Sequence, residues 1–452
     1  MFRNTVILLL TLSLITLSCS KKSTGPAADL LEQINSLQGI EATEIDPPQG
    51  YLRAFQIDFA VPLDHNNPGG QQLYHTVFLS HIDESSPMVL KLSGYRISRN
   101  AIGEVATILN ANQLLIGQRY MEPSSKPEPM DWQYLTVEQS SADHHRLLSL
   151  FKSIYKGEWI NAGVSKGGES VLFHRRLYPE DVEVTVAKVA PICFEPEDPR
   201  LDTYLNDIAG TAECRNTLRQ FQRRVLQNKE NILTLMDAYV QQSDFTFSMN
   251  LELMLEYIVL EYPFAFWQYG SGGCENVPGV SASPQEMHDH LLTTVGFDLY
   301  SDEYTDFYGP IFYQLFTELG YYGFITEHLE DLLTSENYSN AYFAPPGVDL
   351  IFDPTVMQDV NNWLQTQGNN IIYVYGGRDT WTAAAVELTG QTNALKLIEP
   401  GADHHLNITE MTEKETVYYS LESWLDVEID RGVALKYQVP SEILRQRFFD
   451  NY

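Results

Sequence analysis

Three observations in the 452-residue chain predict an α/β fold, a mostly parallel sheet with a helical insertion. Short β-branched or apolar runs alternate with helical patterns from residue 52 onward. A tight Gly-rich turn joins one strand pattern to one helix pattern near residue 165. Strand patterns fade between about residues 198 and 345 and then return.

The turn is Gly163-Val164-Ser165-Lys166-Gly167-Gly168, after the apolar run 159–162 and before a helix pattern ending at Leu177. A serine hydroxyl is a weak nucleophile at neutral pH, so a hydrolase exposes its Oγ on a sharp strand-to-helix turn where a base can reach it. Gly163 and Gly167 flank Ser165 where a Cβ would collide with the neighbouring strand or helix, and Gly168 lets the helix pack closely. The reading is a nucleophile elbow in an α/β-hydrolase.

An elbow of this kind requires an acid and then a histidine after later strands. Residues 370–375 read as a buried parallel strand emptying into Gly376-Gly377-Arg378-Asp379, so Asp379 is the candidate acid. Residues 394–398 form another short strand, followed by a loop with Asp403, His404 and His405. Consecutive loop side chains diverge, so one histidine serves as base; His404 is preferred, with His405 as the alternative. A turn Asp or a solvated loop His is common in isolation. Their predicted order is what gives them weight.

The remaining elements follow. Residues 52–61 and 73–81 read as an opening antiparallel pair, 88–92 and 113–117 as parallel strands, and Thr136 to Gln139 as a helix-opening capping box. The Gly94-Tyr95 turn occupies the position of an oxyanion loop. Its Tyr95 N–H and the Lys166 N–H after the nucleophile are the candidate donors. The domains expected are a hydrolase core over 46–197 and 346–452 and a helical cap over 198–345, with helices near 218–235 and 251–262.

At the N-terminus, Arg3 precedes the apolar stretch 6–17 and then Ser18-Cys19. The stretch is too short to span a bilayer and reads as a signal peptide over 1–18, with Cys19 as a lipidation site. Simple cleavage and secretion is the alternative. A polar tether over 19–45 then follows, which implies an exported bacterial lipoprotein in the periplasm or at the outer membrane or cell surface.

Net charge is −31, with 60 acidic residues against 29 Lys and Arg, which argues against nucleic acid or an anionic lipid surface as partner. Membrane association is expected only through the lipid anchor. Beyond Cys19 the cysteines are Cys193, Cys214 and Cys274. Cys193 sits in an apolar run and reads as a buried thiol, leaving Cys214 and Cys274 free to pair. Asp143-His144-His145 and Asp403-His404-His405 lack metal-ligand spacing, because structural metal sites use more widely spaced ligands and, in the first, adjacent helical residues diverge by about 100°; that first triplet reads as a helix-start acid with two polar histidines. No metal or cofactor is expected.

Several segments carry a family resemblance: Gln118-Arg119-Tyr120, Met130-Asp131-Trp132, Asp143-His144-His145-Arg146-Leu147, the elbow, Glu197-Asp198-Pro199-Arg200 and Phe266-Trp267-Gln268-Tyr269. Together with 373–381 they resemble the secreted bacterial tripeptidyl aminopeptidases of serine peptidase family S-thirty-seven. The likeness spans roughly residues 50–425. It implies a capped α/β-hydrolase acting on peptides with a free N-terminus, distantly similar to the lysosomal prolyl carboxypeptidase and dipeptidyl peptidase group. Ser165, Asp379 and His404 occupy the matching triad positions. His404-His405-Leu406-Asn407 resembles the His-His-Leu-Asp run of the distant group, with Asp403 inserted and Thr380 in place of a proline. An exopeptidase also needs a carboxylate for the substrate amine, and Glu195, Glu197 and Asp198 are candidates. Ester hydrolysis and idle peptide binding are the competing expectations.

Overall fold

The computed structural model describes residues 29–270 and 273–434. Nine strands form one sheet in the order β1-β2-β3-β5-β4-β6-β7-β8-β9. β1 (Ile40–Ile45), β2 (Arg53–Pro62) and β3 (Gln72–His81) are antiparallel, and β3 pairs antiparallel with β5 (Asn112–Ile116). From β5 onward, β4 (Met88–Leu92), β6 (Trp159–Val164), β7 (Val184–Lys188), β8 (Ile371–Gly376) and β9 (Leu395–Glu399) run parallel. The central strands are near-continuous apolar runs because helices cover both faces.

On one face lie α3 (Val137–Phe151), α4 (Lys166–Leu177) and α11 (Pro354–Thr366), burying Leu90, Leu147, Val171 and Tyr373 among others. On the other lie α2 (Glu104–Ile108) and α12 (Lys414–Leu425) against Val89, Ile160, Val186 and Val374. Alternation along each strand separates the two sets. Residues 30–45, placed in a tether by the sequence, instead form α1 (Leu30–Asn35) and the edge strand β1, with Leu30 and Ile34 buried. The remainder of the expected tether, the signal peptide and Cys19 lie outside the described residues.

Between β7 and β8 the chain is helical: α5 (Pro199–Thr203), α6 (Ala212–Gln227), α7 (Lys229–Gln242), α8 (Leu251–Gln268), α9 (Pro284–Thr294) and α10 (Asp302–Gln314). The helices α5 to α9 share a core of their own that includes Phe221, Met236, Met254 and Tyr262, whereas Tyr308 and Ile311 of α10 pack into the core against the sheet. The helix expected over 218–235 is two helices, since Asn228 departs from helical geometry (φ −105°, ψ 22°). α8 runs past its expected end and through Pro263. A proline removes the bond to the carbonyl four residues earlier, and here Gln222 of α6 donates to that Val259 carbonyl at 2.7 Å. A disulfide joins Cys214 to Cys274 with Cα atoms 5.6 Å apart, and Cys193 is a buried free thiol. Among the described residues no helix is long and apolar enough to cross a membrane.

The capping box expected at Thr136 forms by half. Thr136 accepts from Gln139 N–H at 3.2 Å, but the Gln139 side chain turns away to the His65 N–H and Asp64. The polar helix start expected at Asp143 is a buried junction. Arg119 donates two bonds of 2.8 Å to Asp143, and His65 and His75 add two more at 2.7 and 3.2 Å. Arg119 also bonds the carbonyls of Pro62, Leu63 and Tyr134, so one cation ties the β2–β3 loop to the segment before α3.

Burial alone would raise the Asp143 pKa, but the Arg119 charge and the donors from both histidines hold it well below the usual carboxylate range. A depressed folded pKa stabilises the fold above the unfolded value of about 3.9 and loses that contribution as pH falls through the folded value. Asp143→Asn is expected to cost about 3 kcal/mol or more at neutral pH. In urea unfolding the gap to wild type should narrow as pH drops below about 4.

Candidate active site

Ser165 sits at the end of β6 and caps α4 with φ 55° and ψ −126°, a left-handed backbone that non-glycine residues seldom adopt. Close backbone packing holds it there. A Cβ on Gly163 would lie 2.0 Å from the Gly167 carbonyl oxygen, and one on Gly167 would lie 2.3 Å from that of Leu92. The Ser165 N–H donates to Lys188 O of β7 at 2.9 Å, and the Ser165 carbonyl accepts from Glu169 N–H at 3.0 Å.

The turn after β4 touches the same elbow. Gly94 has φ +76°, and a Cβ there would come within 2.5 Å of Gly167 N and 2.6 Å of the Lys166 carbonyl carbon. This brings the Tyr95 turn beside the first N–H groups of α4, which have no intrahelical acceptor. Positive helix-end dipole and outward N–H groups suit a developing oxyanion.

The two histidines separate cleanly. His404 Nδ1 donates to Asp379 Oδ2 at 2.6 Å, whereas His405 turns to Asp403 and its ring lies tilted against that of Tyr269. Asp379 is fully buried and takes a second bond from Trp381 N–H at 3.2 Å. The His404 N–H donates to Gln268 O at 3.0 Å, so the last residue of α8 anchors the histidine loop. β8 ends against that loop because Gly376 leaves room: a Cβ would meet Asp403 O at 2.5 Å.

Ser165 and His404 open on one cavity of about 1070 Å³. No hydrogen bond links the Ser165 hydroxyl to His404 in this structure; such contacts commonly tighten only with substrate bound. Tyrosines from the insertion, including Tyr269, Tyr304, Tyr308 and Tyr321, form much of the wall.

Lys166 follows the nucleophile, and its buried side chain crosses to the insertion, where Nζ donates to Gln314 Oε1 at 2.9 Å. Burial lowers the Lys166 pKa against the pull of Glu169 and Glu318. Glu318 is pushed up to about 7 by burial, although Val137 N–H and Gln314 bond it.

The expected amine ligands Glu195, Glu197 and Asp198 are not among the residues lining the cavity. Asp198 is paired with Arg200 at 2.7 Å, and Glu197 accepts from Ser339. Glu261 of α8 does line it, and sequence reasoning missed it. Its hydrogen-bond partner is the Tyr322 hydroxyl at 2.7 Å, and burial lifts its pKa to about 8. The signal available was a lone acid in the apolar and aromatic run 257–267. Among the described residues no group of three His, Cys, Asp or Glu is disposed to hold a metal ion.

The parallel sheet, the elbow and the serine and His–Asp pair on one cavity define an α/β-hydrolase of the serine hydrolase type. The chain belongs to the PS-10 peptidase S37 family, which it matches over residues 24–425, and it is a serine peptidase. It is 31% identical over 401 residues to the prolyl tri/tetrapeptidyl aminopeptidase of Streptomyces mobaraensis, covering 87% of this chain and 83% of that protein. Solved structures similar to it include the proline iminopeptidase of Mycobacterium smegmatis (12% identity, TM-score 0.36, covering 81% of this chain and 98% of that one). Another is VinJ (14% identity, TM-score 0.38, covering 85% and 99%).

Gly94→Ala should push the Tyr95 turn off the elbow. A fall in kcat of about 10²-fold or more is expected, the scale of losing one oxyanion donor, measured by steady-state hydrolysis of a peptide amide.

Proposed function

We propose that this peptidase is an exported aminopeptidase that releases short N-terminal fragments, tripeptides foremost, through an acyl-enzyme. The observation carrying this reading is Glu261, a half-buried carboxyl without a basic partner on the wall of the cavity that also holds Ser165 and His404. A carboxylate inside an aromatic cavity is costly unless a cation joins it, and a peptide's α-ammonium is such a cation. Tyrosine faces nearby add cation–π attraction. The likeness to a tri/tetrapeptidyl aminopeptidase supports the same reading.

In this mechanism the α-ammonium docks on Glu261 and the scissile carbonyl lies over Ser165. His404 takes the Ser165 proton as Oγ attacks the carbonyl carbon, and Asp379 holds the imidazole with Nδ1 protonated so that Nε2 can accept. Lys166 N–H and Tyr95 N–H receive the oxyanion. His404 then protonates the leaving amine, and water, deprotonated by the same imidazole, hydrolyses the ester. Cys19 would tether the enzyme to a membrane by its lipid, which leaves the acidic body free of the surface.

Ser165→Ala should abolish both fluorophosphonate labelling and turnover of tripeptidyl aminocoumarin amides. Hydrolysis of short acyl esters alone by wild type would reject the peptidyl reading, and absence of labelling in folded wild type would favour simple peptide binding.

Glu261→Gln should cut kcat/KM for free-amine tripeptide amides by about 10²-fold or more, the scale of a charge-assisted bond of up to 3 kcal/mol. N-acetylated analogues should be poor for both proteins. Because Glu261 ionises only toward pH 8, wild-type kcat/KM for free-amine substrates should climb from pH 6 to about 8. The rise should then reverse as the substrate amine, with a pKa near 8, loses its proton. Glu261→Gln should lack the Glu261 part of the climb.

A further inference from the structure

The end of β4 and the segment joining it to α2 form a further arm of the cavity's wall, beside the elbow. Lys91, Arg99 and Lys188 all line it, together with Glu104. Three cations lie close together there, in a chain whose acidic residues outnumber its basic ones 60 to 29. Glu104 is already committed: Lys188 Nζ lies 2.5 Å from it, and Thr409 donates to its other oxygen through both N–H and hydroxyl. Lys91 Nζ has the Ala101 carbonyl at 3.1 Å as its acceptor.

Burial and the nearby charges of Lys188 and Arg99 lower the Lys91 pKa to about 8, so it is still mostly cationic at neutral pH. The cations are grouped, not scattered. Lys91 and Lys188 share the sheet face of Val89 and Val186, by strand alternation. The arm starts at the nucleophile, since Ser165 N–H bonds Lys188 O and Lys91 is in register with Ala162 of β6.

We infer that this arm is an anion subsite for the leaving portion of the substrate, binding a carboxylate just beyond the scissile bond. This rests on the aminopeptidase reading: with the α-ammonium at Glu261 and the carbonyl over Ser165, the departing chain exits into the arm. A short peptide's C-terminal carboxylate and an Asp or Glu side chain after the cut offer the same group. The enzyme thereby favours short or acidic leaving peptides.

The test measures kcat/KM on peptides sharing one N-terminal tripeptide. One pair carries Gly-Gly beyond the cut, as free acid or as amide. A second pair, both amidated, carries Glu or Gln directly after the cut. Wild type should prefer the free acid, the Glu peptide or both by about tenfold, the worth of a charge-assisted hydrogen bond. The first pair reports a terminal carboxylate and the second a side chain.

Lys91→Met should bring the preference to near one and Lys91→Arg should keep it, a ratio that a purely structural loss would not move. If Lys91→Met does not fold, Arg99→Gln, at an exposed position, should lower the same ratio. Wild type cleaving all four peptides equally, or variants keeping the full preference, overturns the subsite while leaving the aminopeptidase reading intact. Wild type that cleaves no peptide overturns both.

Discussion

The site depends on a steric constraint: three backbone segments meet at the elbow at distances that no side chain at Gly163, Gly167 or Gly94 would allow. Ser165 keeps an unfavourable backbone conformation because β6, α4 and the turn after β4 leave it no other. Local strain of this kind costs of order 1–3 kcal/mol and persists only where the surroundings over-determine it. What the strain secures is position. The hydroxyl stands clear of the sheet edge, with the start of α4 and the Gly94–Tyr95 turn on one side and the histidine loop sharing the cavity.

The helical insertion takes part in that positioning. Gln268 at the end of α8 receives the His404 N–H, and Gln314 at the end of α10 receives the Lys166 ammonium. Each bond crosses from the insertion to a residue at the base or at the nucleophile. Both are shielded from bulk water, where a hydrogen bond is stronger and its loss dearer. Displacing the insertion would thus disturb the imidazole and the elbow together. This arrangement suits an enzyme whose cavity walls come largely from inserted helices.

Residue types with strong local rules were legible in the sequence. The elbow announced itself because glycine spacing has a steric cause, and Asp379 and His404 followed from the strand ends that precede them. Pairing of Cys214 with Cys274 followed from setting Cys193 aside. Glu261 was hidden because helix α8 is apolar almost all round, and it contains another acid, the fully buried Glu256, that Tyr338 and Thr334 satisfy. Only the packing tells which of the two meets the cavity. Asp143 misled for a related reason: its partners Arg119, His65 and His75 come from three separate segments, and their convergence has no sequence signature. Residues 30–45 misled because a short edge strand with three polar or charged residues among six looks like linker.

One property of α8 bears on how substrate length is set. Glu261 and Gln268 are seven residues apart on this helix, a rise of about 10 Å. Three residues of extended polypeptide cover about the same span. If the amine rests at one end and the imidazole's loop is pinned to the other, the helix is a ruler whose graduations are its own turns. Changing fragment size would then mean relocating the acid by one turn along the rod, with the chemistry at the elbow untouched.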